Sequence, residues 1–255
     1  MTEAEKTGMD EIATIGILML DTQFPRVLGD IGNPATFLFP VRYHRVPKAS
    51  AENVVRQGAK DLLTAFIEGA QMLQEGGVQA ITTSCGFLAR FQRELASAVT
   101  VPVFTSSLLL VPLVHRMLAP DRRVGILTFD ASALTERELA SAGIPSDLRV
   151  AIVGMETQPE FYRVILEDRP TLDVDAERRE HVQAATRLCE THPDVGAIVL
   201  ECTNMPPYRA AIQRATGLPV FDIVQLLTLV HQALTHTVAG TDPTVRLIHP
   251  RRTGP

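Results

Sequence analysis

An internal repeat is the feature of this sequence that most constrains its fold. Residues 78–110 align with residues 195–227 without a gap, and 10 of the 33 aligned residues are identical. A chance match would give about two identities. Each segment contains a cysteine at the end of an apolar run, Cys85 or Cys202, and a Pro-Val-Phe triplet begins 17 residues after each cysteine. The chain therefore consists of two similar halves.

The first apolar run of each half repeats as well. IGILMLD (15–21) corresponds to VGILTFD (124–130), and both segments close with an aspartate, Asp21 and Asp130. The boundary between the halves is predicted near residues 112–122.

Short apolar runs alternate with longer segments of helical period along the chain. Strands are predicted near 15–20, 39–46, 78–83, 101–105, 123–129, 149–154, 197–201 and 219–222. Helices are predicted over 52–75, 86–97, 107–118, 133–142, 159–168, 175–191, 206–215 and 223–238. This alternation is typical of an α/β fold with parallel sheets. We expect two similar lobes, each a four-stranded parallel sheet flanked by helices, related by pseudo-twofold symmetry with the active site between them.

Composition excludes several classes of protein. The net charge is −5 and no basic block is present, so nucleic acid is not an expected partner. Three cysteines do not suit a disulfide framework and fit a reducing compartment. The apolar run at 15–20 is too short for a signal peptide core or a membrane span. The expectation is a cytoplasmic protein without a membrane partner, and the polar residues from Gly240 onward are expected to form a loose tail.

The two cysteines suggest a chemistry. Ligands of open α/β sheets bind at the carboxyl ends of strands, so two facing lobes would place Cys85 and Cys202 on opposite walls of one cleft. One thiolate could remove a proton from a carbon while the other thiol returns a proton to the opposite face, which inverts a stereocentre without a cofactor. A helix N-terminus behind each sulfur would help to lower the pKa of its thiol and would bind a substrate carboxylate.

With these features the chain resembles the aspartate/glutamate racemase superfamily, over about residues 14–238. That group includes cofactor-independent amino-acid racemases, hydantoin racemases, arylmalonate decarboxylases and maleate isomerases. The resemblance implies that Cys85 and Cys202 are the catalytic pair and that Thr203 contacts a substrate carboxylate. It also implies a homo-oligomer and a last helix that returns to the first lobe. The first lobe would then comprise 1–112 plus 223–255, and the second 113–222.

The flanks of both cysteines differ from the amino-acid racemase pattern. Gly86-Phe87 stands where those racemases typically have Asn-Thr, and Asn204 stands where they often have Glu or His. Both differences argue against aspartate or glutamate as the substrate. The segment 21–46 is expected to lie over the cleft and offers Phe37, Phe39, Arg42 and Tyr43 as pocket residues, which favours a larger or less polar substrate.

The candidate site residues have structural alternatives. A single cysteine at a strand end is usually a small buried residue, but the symmetric partner favours catalysis here. Cys189 lies on the apolar face of a predicted helix and is interpreted as core. Asp21 and Asp130 could cap the segments that follow them, Arg42 could be a surface charge, and Glu201 could be structural. The candidate substrate-binding residues are Asp21, Arg42, Ser84, Gly86, Phe87, Asp130, Thr203 and Asn204.

The leading hypothesis is a cofactor-independent racemase or epimerase that acts beside a carboxylate or amide carbonyl, with an amino acid or derivative as substrate. A decarboxylase or a cis–trans isomerase on the same scaffold would need only one essential cysteine. A two-lobed small-molecule sensor without catalysis, and a thiol–disulfide switch, are the alternatives from other classes. Neither a metal nor a nucleotide cofactor is expected, because the histidines lack metal-ligand spacing and no phosphate-binding glycine motif occurs.

Overall fold

The structure is a computed structural model that describes residues 13–235. Strands and helices alternate along this part of the chain. The strands are β1 (Ile15–Met19), β2 (Val41–Arg45), β3 (Ala80–Thr83), β4 (Val103–Phe104), β5 (Arg123–Thr128), β6 (Val150–Gly154), β7 (Val195–Leu200) and β8 (Val220–Phe221). The α-helices are α1 (Leu63–Glu75), α2 (Gln92–Ala98), α3 (Val111–Met117), α4 (Glu136–Ser141), α5 (Pro159–Leu166), α6 (Val174–Thr191), α7 (Arg209–Thr216) and α8 (Ile223–Leu234).

Two four-stranded parallel sheets organise these elements. Their strand orders are β2-β1-β3-β4 and β6-β5-β7-β8, so the second sheet repeats the first. Equivalent residues also pair in the same register, with Gly16 beside Ile81 in one sheet and Gly125 beside Ile198 in the other. The predicted α/β fold with two similar lobes is confirmed.

Close packing of one helix on the central strand explains the repeated glycine of each lobe. A Cβ atom on Gly16 would approach Leu73 of α1 to 3.0 Å, and one on Gly125 would approach Leu188 of α6 to 2.8 Å. Real Cβ atoms rarely tolerate such distances, and so the glycines allow each helix to lie directly on its sheet.

The predicted helix over 52–75 is wrong in its first half. A single π-helical turn covers Glu52–Arg56, and α1 begins only at Leu63. Between them Gly58, Ala59 and Asp61 have φ angles of 70°, 52° and 63°. A right-handed helix cannot pass through residues with positive φ, so the apolar period continues across a break in the backbone.

Other helical segments begin as tighter turns. Short 3₁₀ helices cover Gly86–Phe91 after the first cysteine, Ser107–Leu110 before α3 and Pro206–Tyr208 before α7, with another at Pro34–Thr36. Residues 236–238 of the last predicted helix, and the predicted tail from Gly240, lie outside the described residues.

Reciprocal hydrogen bonds join the two lobes. Thr203 donates its hydroxyl to the carbonyl of Ser84 at 2.6 Å, and Ser107 donates its hydroxyl to the carbonyl of Leu200 at 2.6 Å. The first bond joins the strand ends that carry the two cysteines, and the second joins the 3₁₀ helix after β4 to the end of β7. All four residues are buried. The relative position of the cysteines is therefore fixed by buried contacts on both sides.

The last helix lies near the first lobe. His231 of α8 stacks on Phe39 with ring centroids 4.0 Å apart, and the rings are nearly parallel. The exact division of the chain at 113 and 223 stays a prediction. Among residues 13–235, no helix is long and apolar enough to cross a membrane.

Candidate active site

A pocket lies where the carboxyl ends of the central strands of both lobes meet. Cys85 follows β3 and Cys202 follows β7, and both cysteines line this pocket. The remaining lining residues are Leu20, Phe24, Arg26, Ala51, Val55, Ser84, Phe87, Phe129, Ile165, Glu201 and Asn204. The cavity volume is ≈ 20 Å³, about the room for one water molecule. The site is closed in this structure.

Each cysteine has the same local geometry. The Cys85 sulfur faces the backbone N–H of Phe87, and the Cys202 sulfur faces the backbone N–H of Asn204, two residues on in each case. Both cysteines are 8% exposed. A negative charge on Cys85 would raise the pKa of Cys202, so the two sulfurs act on each other electrostatically.

Burial determines the acidity of both thiols. Burial, with a smaller contribution from the Glu201 carboxylate, raises the pKa of Cys85 to about 12, while Arg90 and Arg26 act in the opposite direction. Burial and Glu201 also raise the pKa of Cys202 well above its usual range. The backbone N–H groups lower each pKa, in the predicted direction, but desolvation of the thiolate outweighs them.

The residue before each cysteine accepts a hydrogen bond from the end of the neighbouring strand in its own lobe. Leu20 donates its backbone N–H to the Ser84 hydroxyl at 2.9 Å, and Phe129 donates its N–H to Glu201 Oε2 at 3.2 Å. Thr128 adds a hydroxyl donor to the same oxygen at 2.8 Å. The two halves thus have equivalent hydrogen bonds from a backbone N–H. The acceptor is the Ser84 hydroxyl in the first half and the Glu201 carboxylate in the second.

Glu201 is the charged member of this pair and is fully buried. Burial raises its pKa to about 7, although the hydrogen bonds from Thr128 and Phe129 oppose that shift. Its second oxygen, Oε1, has no hydrogen-bond partner within the described residues. Oε1 lies against Gly86, where it would collide with any Cβ atom.

A polar network reaches Cys202 from the first lobe. Asn204 donates its side-chain N–H to Asp30 Oδ2 at 2.7 Å, and Arg26 donates to Asp30 Oδ1 at 3.2 Å. Oδ1 of Asn204 lies 3.5 Å from the Cys202 sulfur. Asn204, Asp30 and Cys202 are all at least nine-tenths buried.

The segment between β1 and the first 3₁₀ helix covers the pocket. Its Phe24 and Arg26 line the cavity, and the Arg26 guanidinium lies 4.0 Å from the centre of the Phe24 ring. Asp168 of the second lobe accepts hydrogen bonds from the backbone N–H groups of Gln23 and Phe24, at 2.6 and 2.9 Å. One carboxylate therefore holds the cover against the opposite lobe.

The structure brings most of the predicted site residues together. Those that line the pocket are Ser84, Cys85, Phe87, Cys202 and Asn204. Gly86 lies directly behind it. Thr203 is buried with its hydroxyl committed to the Ser84 carbonyl, so its predicted contact with a substrate carboxylate is not available in this conformation.

Three predicted substrate contacts lie elsewhere. Asp21 is exposed and pairs with Arg45 at 3.3 Å. Asp130 is buried, accepts hydrogen bonds from Ser132 and Tyr162, and is absent from the pocket lining. Both aspartates follow strands as predicted, but their side chains hold the connecting segments instead of the cavity.

Arg42, which was also predicted to contact the substrate, does not line the pocket. It pairs with Gly16 near the amino-terminal edge of the first sheet and donates to the carbonyl of Gly76. Parallel strands place their amino and carboxyl ends at opposite edges of the sheet, so Arg42 lies away from the pocket.

Sequence reasoning missed several lining residues. Phe24 and Arg26 belong to the segment 21–46 that is expected to cover the cleft, but the pocket residues predicted from this segment are Phe37, Phe39, Arg42 and Tyr43. Phe129 immediately precedes Asp130, and its equivalence to Leu20 in the repeat was a usable signal. Ala51, Val55 and Ile165 carry no signal, because an apolar wall residue and an apolar core residue look alike in a sequence.

A larger groove on the second lobe lacks comparable chemistry. Its volume is ≈ 530 Å³, and it lies beside α4 and the loop after it. Its lining contains one carboxylate, Glu136, and no thiol, imidazole or amine. Across residues 13–235, no cluster of three or more His, Cys, Asp or Glu side chains could hold a metal ion. The cysteine pocket is the better candidate active site.

Two curated relatives are similar to most of this chain. Dimethylsulfoniopropionate lyase 6 of Emiliania huxleyi is 36% identical over 221 residues, which are 83% of this chain and 57% of that protein. The chain thus spans little more than half the length of that relative. A dimethylsulfoniopropionate lyase of Durusdinium sp. clade D is 30% identical over 218 residues, covering 83% of this chain and 72% of that protein.

Solved structures share the fold. Arylmalonate decarboxylase superposes with a TM-score of 0.54 at 17% identity, covering 89% of this chain and 94% of that one. The aspartate racemase of Picrophilus torridus gives 0.55 at 14% identity, covering 87% and 93%. Residues 41–229 also match the sequence profile named Asp/Glu/Hydantoin racemase, which includes both cysteines. The chain belongs to the Asp/Glu/Hydantoin racemase family.

Proposed function

We propose that this protein is a carbon–sulfur lyase that eliminates dimethyl sulfide from dimethylsulfoniopropionate or from a very similar β-sulfonium carboxylate. The observation that carries the proposal is the composition of the closed pocket. Two buried thiols share it with three phenylalanine rings, one carboxylate and one guanidinium. The names of the two relatives point to the same substrate.

The chemistry needs one base. A thiolate takes a proton from the carbon beside the carboxylate and becomes a thiol. The electron pair of that C–H bond forms the carbon–carbon double bond, and the bond from the β-carbon to sulfur breaks with its electrons on sulfur. The products are acrylate and neutral dimethyl sulfide, and the thiol then returns its proton to water. Proton abstraction beside a carboxylate is also the first step of racemisation, so the two activities suit one scaffold.

The pocket suits both ends of such a substrate. A sulfonium is a soft cation without N–H donors, and aromatic rings stabilise cations of this kind by about 0.5–2 kcal/mol each. Phe24, Phe87 and Phe129 supply those rings, and the Glu201 carboxylate is the nearby negative charge. Arg26 is the matching cation for the substrate carboxylate.

A positively charged substrate would also activate the base. Burial keeps Cys85 protonated at neutral pH, since its pKa lies at about 12. A cation brought within a few ångströms favours the thiolate and lowers that pKa. An empty pocket therefore holds an unreactive thiol, and the sulfonium creates the base in the complex.

The experiment that tests this proposal uses dimethylsulfoniopropionate in D₂O. Headspace gas chromatography measures dimethyl sulfide, and proton NMR measures acrylate in the same vial. The expected result is stoichiometric formation of both products. A Cys189→Ser variant is the matched control, because Cys189 lies on α6 outside the pocket and should leave turnover intact. Absence of both products with soluble, folded wild-type protein would refute the proposal.

Racemisation is a second candidate, favoured by the equal geometry of the two cysteines. Each sulfur faces the N–H of the residue two positions on, and both sulfurs line one pocket, as two acid/base groups acting on one carbon would. The same NMR experiment with amino acids and hydantoins tests it. Deuterium at an α-carbon with loss of optical rotation would support a racemase, whereas dimethyl sulfide without such exchange supports the lyase.

A further inference from the structure

We infer that the two cysteines are not interchangeable: Cys85 is the base of the elimination, and Asn204, held by Asp30, is a positioning residue that keeps Cys202 as a hydrogen-bond-donating thiol. The assignment of Cys85 as the base rests on the proposed function. The assignment of Cys202 as a protonated thiol does not. It follows from the direction of one buried chain of hydrogen bonds.

The orientation of the Asn204 amide is fixed by its partner. Asp30 Oδ2 lies 2.7 Å from one end of the amide, and a carboxylate only accepts hydrogen bonds from it, so that end is the NH₂ group. Asp30 is anchored as an anion by Arg26 and by the backbone N–H of Gly32 at 2.6 Å. A flipped amide would place its oxygen against the Asp30 carboxylate. Two acceptor oxygens in contact repel each other and cannot be compensated by water in a buried site, so this orientation is excluded.

The other end of the amide is therefore an oxygen, and it faces Cys202. Oδ1 lies 3.5 Å from the sulfur, which suits an S–H donor. A thiolate at the same place would face an oxygen lone pair in a buried site, a repulsive contact. The backbone N–H of Asn204 favours a thiolate, but burial and the carboxylates of Glu201 and Asp30 oppose it.

Cys85 has different surroundings although its backbone geometry is the same. Among residues 13–235, its sulfur donates to no oxygen. Glu201 raises the pKa of both thiols, and Arg90 and Arg26 lower the pKa of Cys85. The repeat is thus symmetric in its backbone and asymmetric in the side-chain partners of its two sulfurs. Cys85 is the sulfur that a substrate cation can convert to a thiolate.

This asymmetry separates elimination from racemisation. In a racemase one sulfur accepts a proton and the other donates one, and the roles are exchanged in the reverse direction. Each of the two cysteines must therefore be able to exist as a thiolate. An elimination uses one base and needs no proton delivered to carbon. Asn204 and Asp30 then determine which of the two reactions the pair of thiols can perform.

An infrared measurement tests the state of Cys202 without any substrate. The S–H stretch is recorded at pH 7 in a Cys189→Ser background, so that only the two pocket thiols contribute. We expect one band at the lower frequency of a hydrogen-bonded thiol. It should vanish in Cys202→Ser and move to higher frequency in Asn204→Ala, while the Cys85 band stays in place. No shift in Asn204→Ala, or no Cys202 band, would overturn the inference.

Kinetics test the assignment of the base. We expect Cys85→Ser to lower kcat/KM for dimethyl sulfide formation by about 1,000-fold or more. Cys202→Ser should stay within about tenfold of wild type, because a serine hydroxyl can donate to the same Asn204 oxygen. Equal losses, or the larger loss at Cys202, would overturn it. Cys85→Ala and Cys202→Ala, with unchanged thermal unfolding, guard against a folding artefact.

The two proposals fail separately. If wild-type protein forms no dimethyl sulfide but the infrared band behaves as expected, the substrate is wrong and the assignment of Cys202 stands. If wild-type protein forms dimethyl sulfide and the S–H band does not shift in Asn204→Ala, the proposed substrate is supported and the assignment of Cys202 is wrong.

Discussion

Gly86 of the first lobe lies directly against Glu201 of the second, with no room for a methyl group between them. A Cβ atom at position 86 would collide with both the carbonyl oxygen and the carboxylate oxygen Oε1 of Glu201. The carbonyl belongs to the backbone beside Cys202 and cannot rotate away. The two cysteines can share one pocket because the residue after the first has no side chain.

We expect Gly86→Ala to separate the strand ends that carry Cys85 and Cys202. Overpacking of this kind costs about 1–3 kcal/mol of folding free energy. Misplacement of the reacting groups by about 1 Å should lower kcat/KM about 100-fold. Urea unfolding and steady-state kinetics measure the two effects.

Gly143→Ala is the control for that variant. Gly143 has open space around its Cα atom and a φ of 75°, so alanine there costs backbone strain alone, about 1 kcal/mol. Its turnover should stay near the wild-type value. Wild-type turnover by Gly86→Ala as well would contradict the requirement for close contact.

Glu201 should make the folded state less stable as the pH rises. Burial raises its pKa to about 7, compared with 4.5 in the absence of a protein environment. Between these values the folded protein holds a proton that the unfolded chain has lost, so folding becomes less favourable with rising pH. The change is on the order of 3 kcal/mol and is complete above pH 7.

A comparison with Glu201→Gln isolates this effect. The amide cannot ionise, so the difference in unfolding free energy between the variant and wild type should shift in favour of the variant between pH 4.5 and pH 8. Urea denaturation at intervals of half a pH unit gives that difference. The comparison is necessary because burial also raises the pKa of Glu177 to about 7. Glu177 is present in both proteins, so its effect cancels in the difference between their unfolding free energies. A constant difference across the range would show that Glu201 ionises normally.

Asp168 should govern access to the pocket. Its carboxylate accepts from the N–H groups of Gln23 and Phe24, which belong to the segment over the cavity. A cavity of ≈ 20 Å³ cannot admit a substrate without movement of its wall. We expect Asp168→Ala to increase amide hydrogen exchange in residues 22–27 at least about tenfold, the equivalent of two lost hydrogen bonds.

Asp168→Asn is the matched variant for this test. Asparagine keeps an acceptor oxygen and tolerates the φ of 50° found at this position, so exchange should stay close to wild type. Hydrogen-exchange mass spectrometry of the peptide that contains Phe24 resolves the two variants. Unchanged exchange in Asp168→Ala would mean that the cover is held by its apolar contacts instead.

The repeat predicted the fold and the cysteine pair because both depend on local pattern. Apolar runs, glycines and strand-end cysteines recur at the same spacing, and symmetry then places Cys85 opposite Cys202. The break before α1 was not predictable. Leu62 and Phe66 continue the apolar period of a longer helix, although φ is positive at residues 58, 59 and 61.

Polar contacts across the lobes were also beyond the sequence. The Asn204–Asp30 bond joins residues 174 positions apart, and no local pattern marks either member. Asp21 and Asp130 illustrate the converse. Their equivalence in the repeat is real, but one lies on the surface beside Arg45 and the other is held by Tyr162.

Phe129 should distinguish a sulfonium from a neutral group of the same shape. Its ring lines the pocket and is fixed in place by stacking on Tyr162, with centroids 4.7 Å apart. Leucine retains an apolar wall but lacks the negative face of the ring. We expect Phe129→Leu to weaken binding of dimethylsulfoniopropionate about tenfold, the loss of one cation–π contact.

The neutral comparison is 4-methylpentanoate, in which a C–H group replaces the positive sulfur. Its dissociation constant should change by less than about twofold in the same variant, because the apolar area of leucine is similar. Calorimetric titration of both ligands into Cys85→Ser and Cys85→Ser/Phe129→Leu avoids turnover. Equal weakening of the two ligands would mean that Phe129 serves only to fill space, and the sulfonium would then have to be recognised by Glu201 alone.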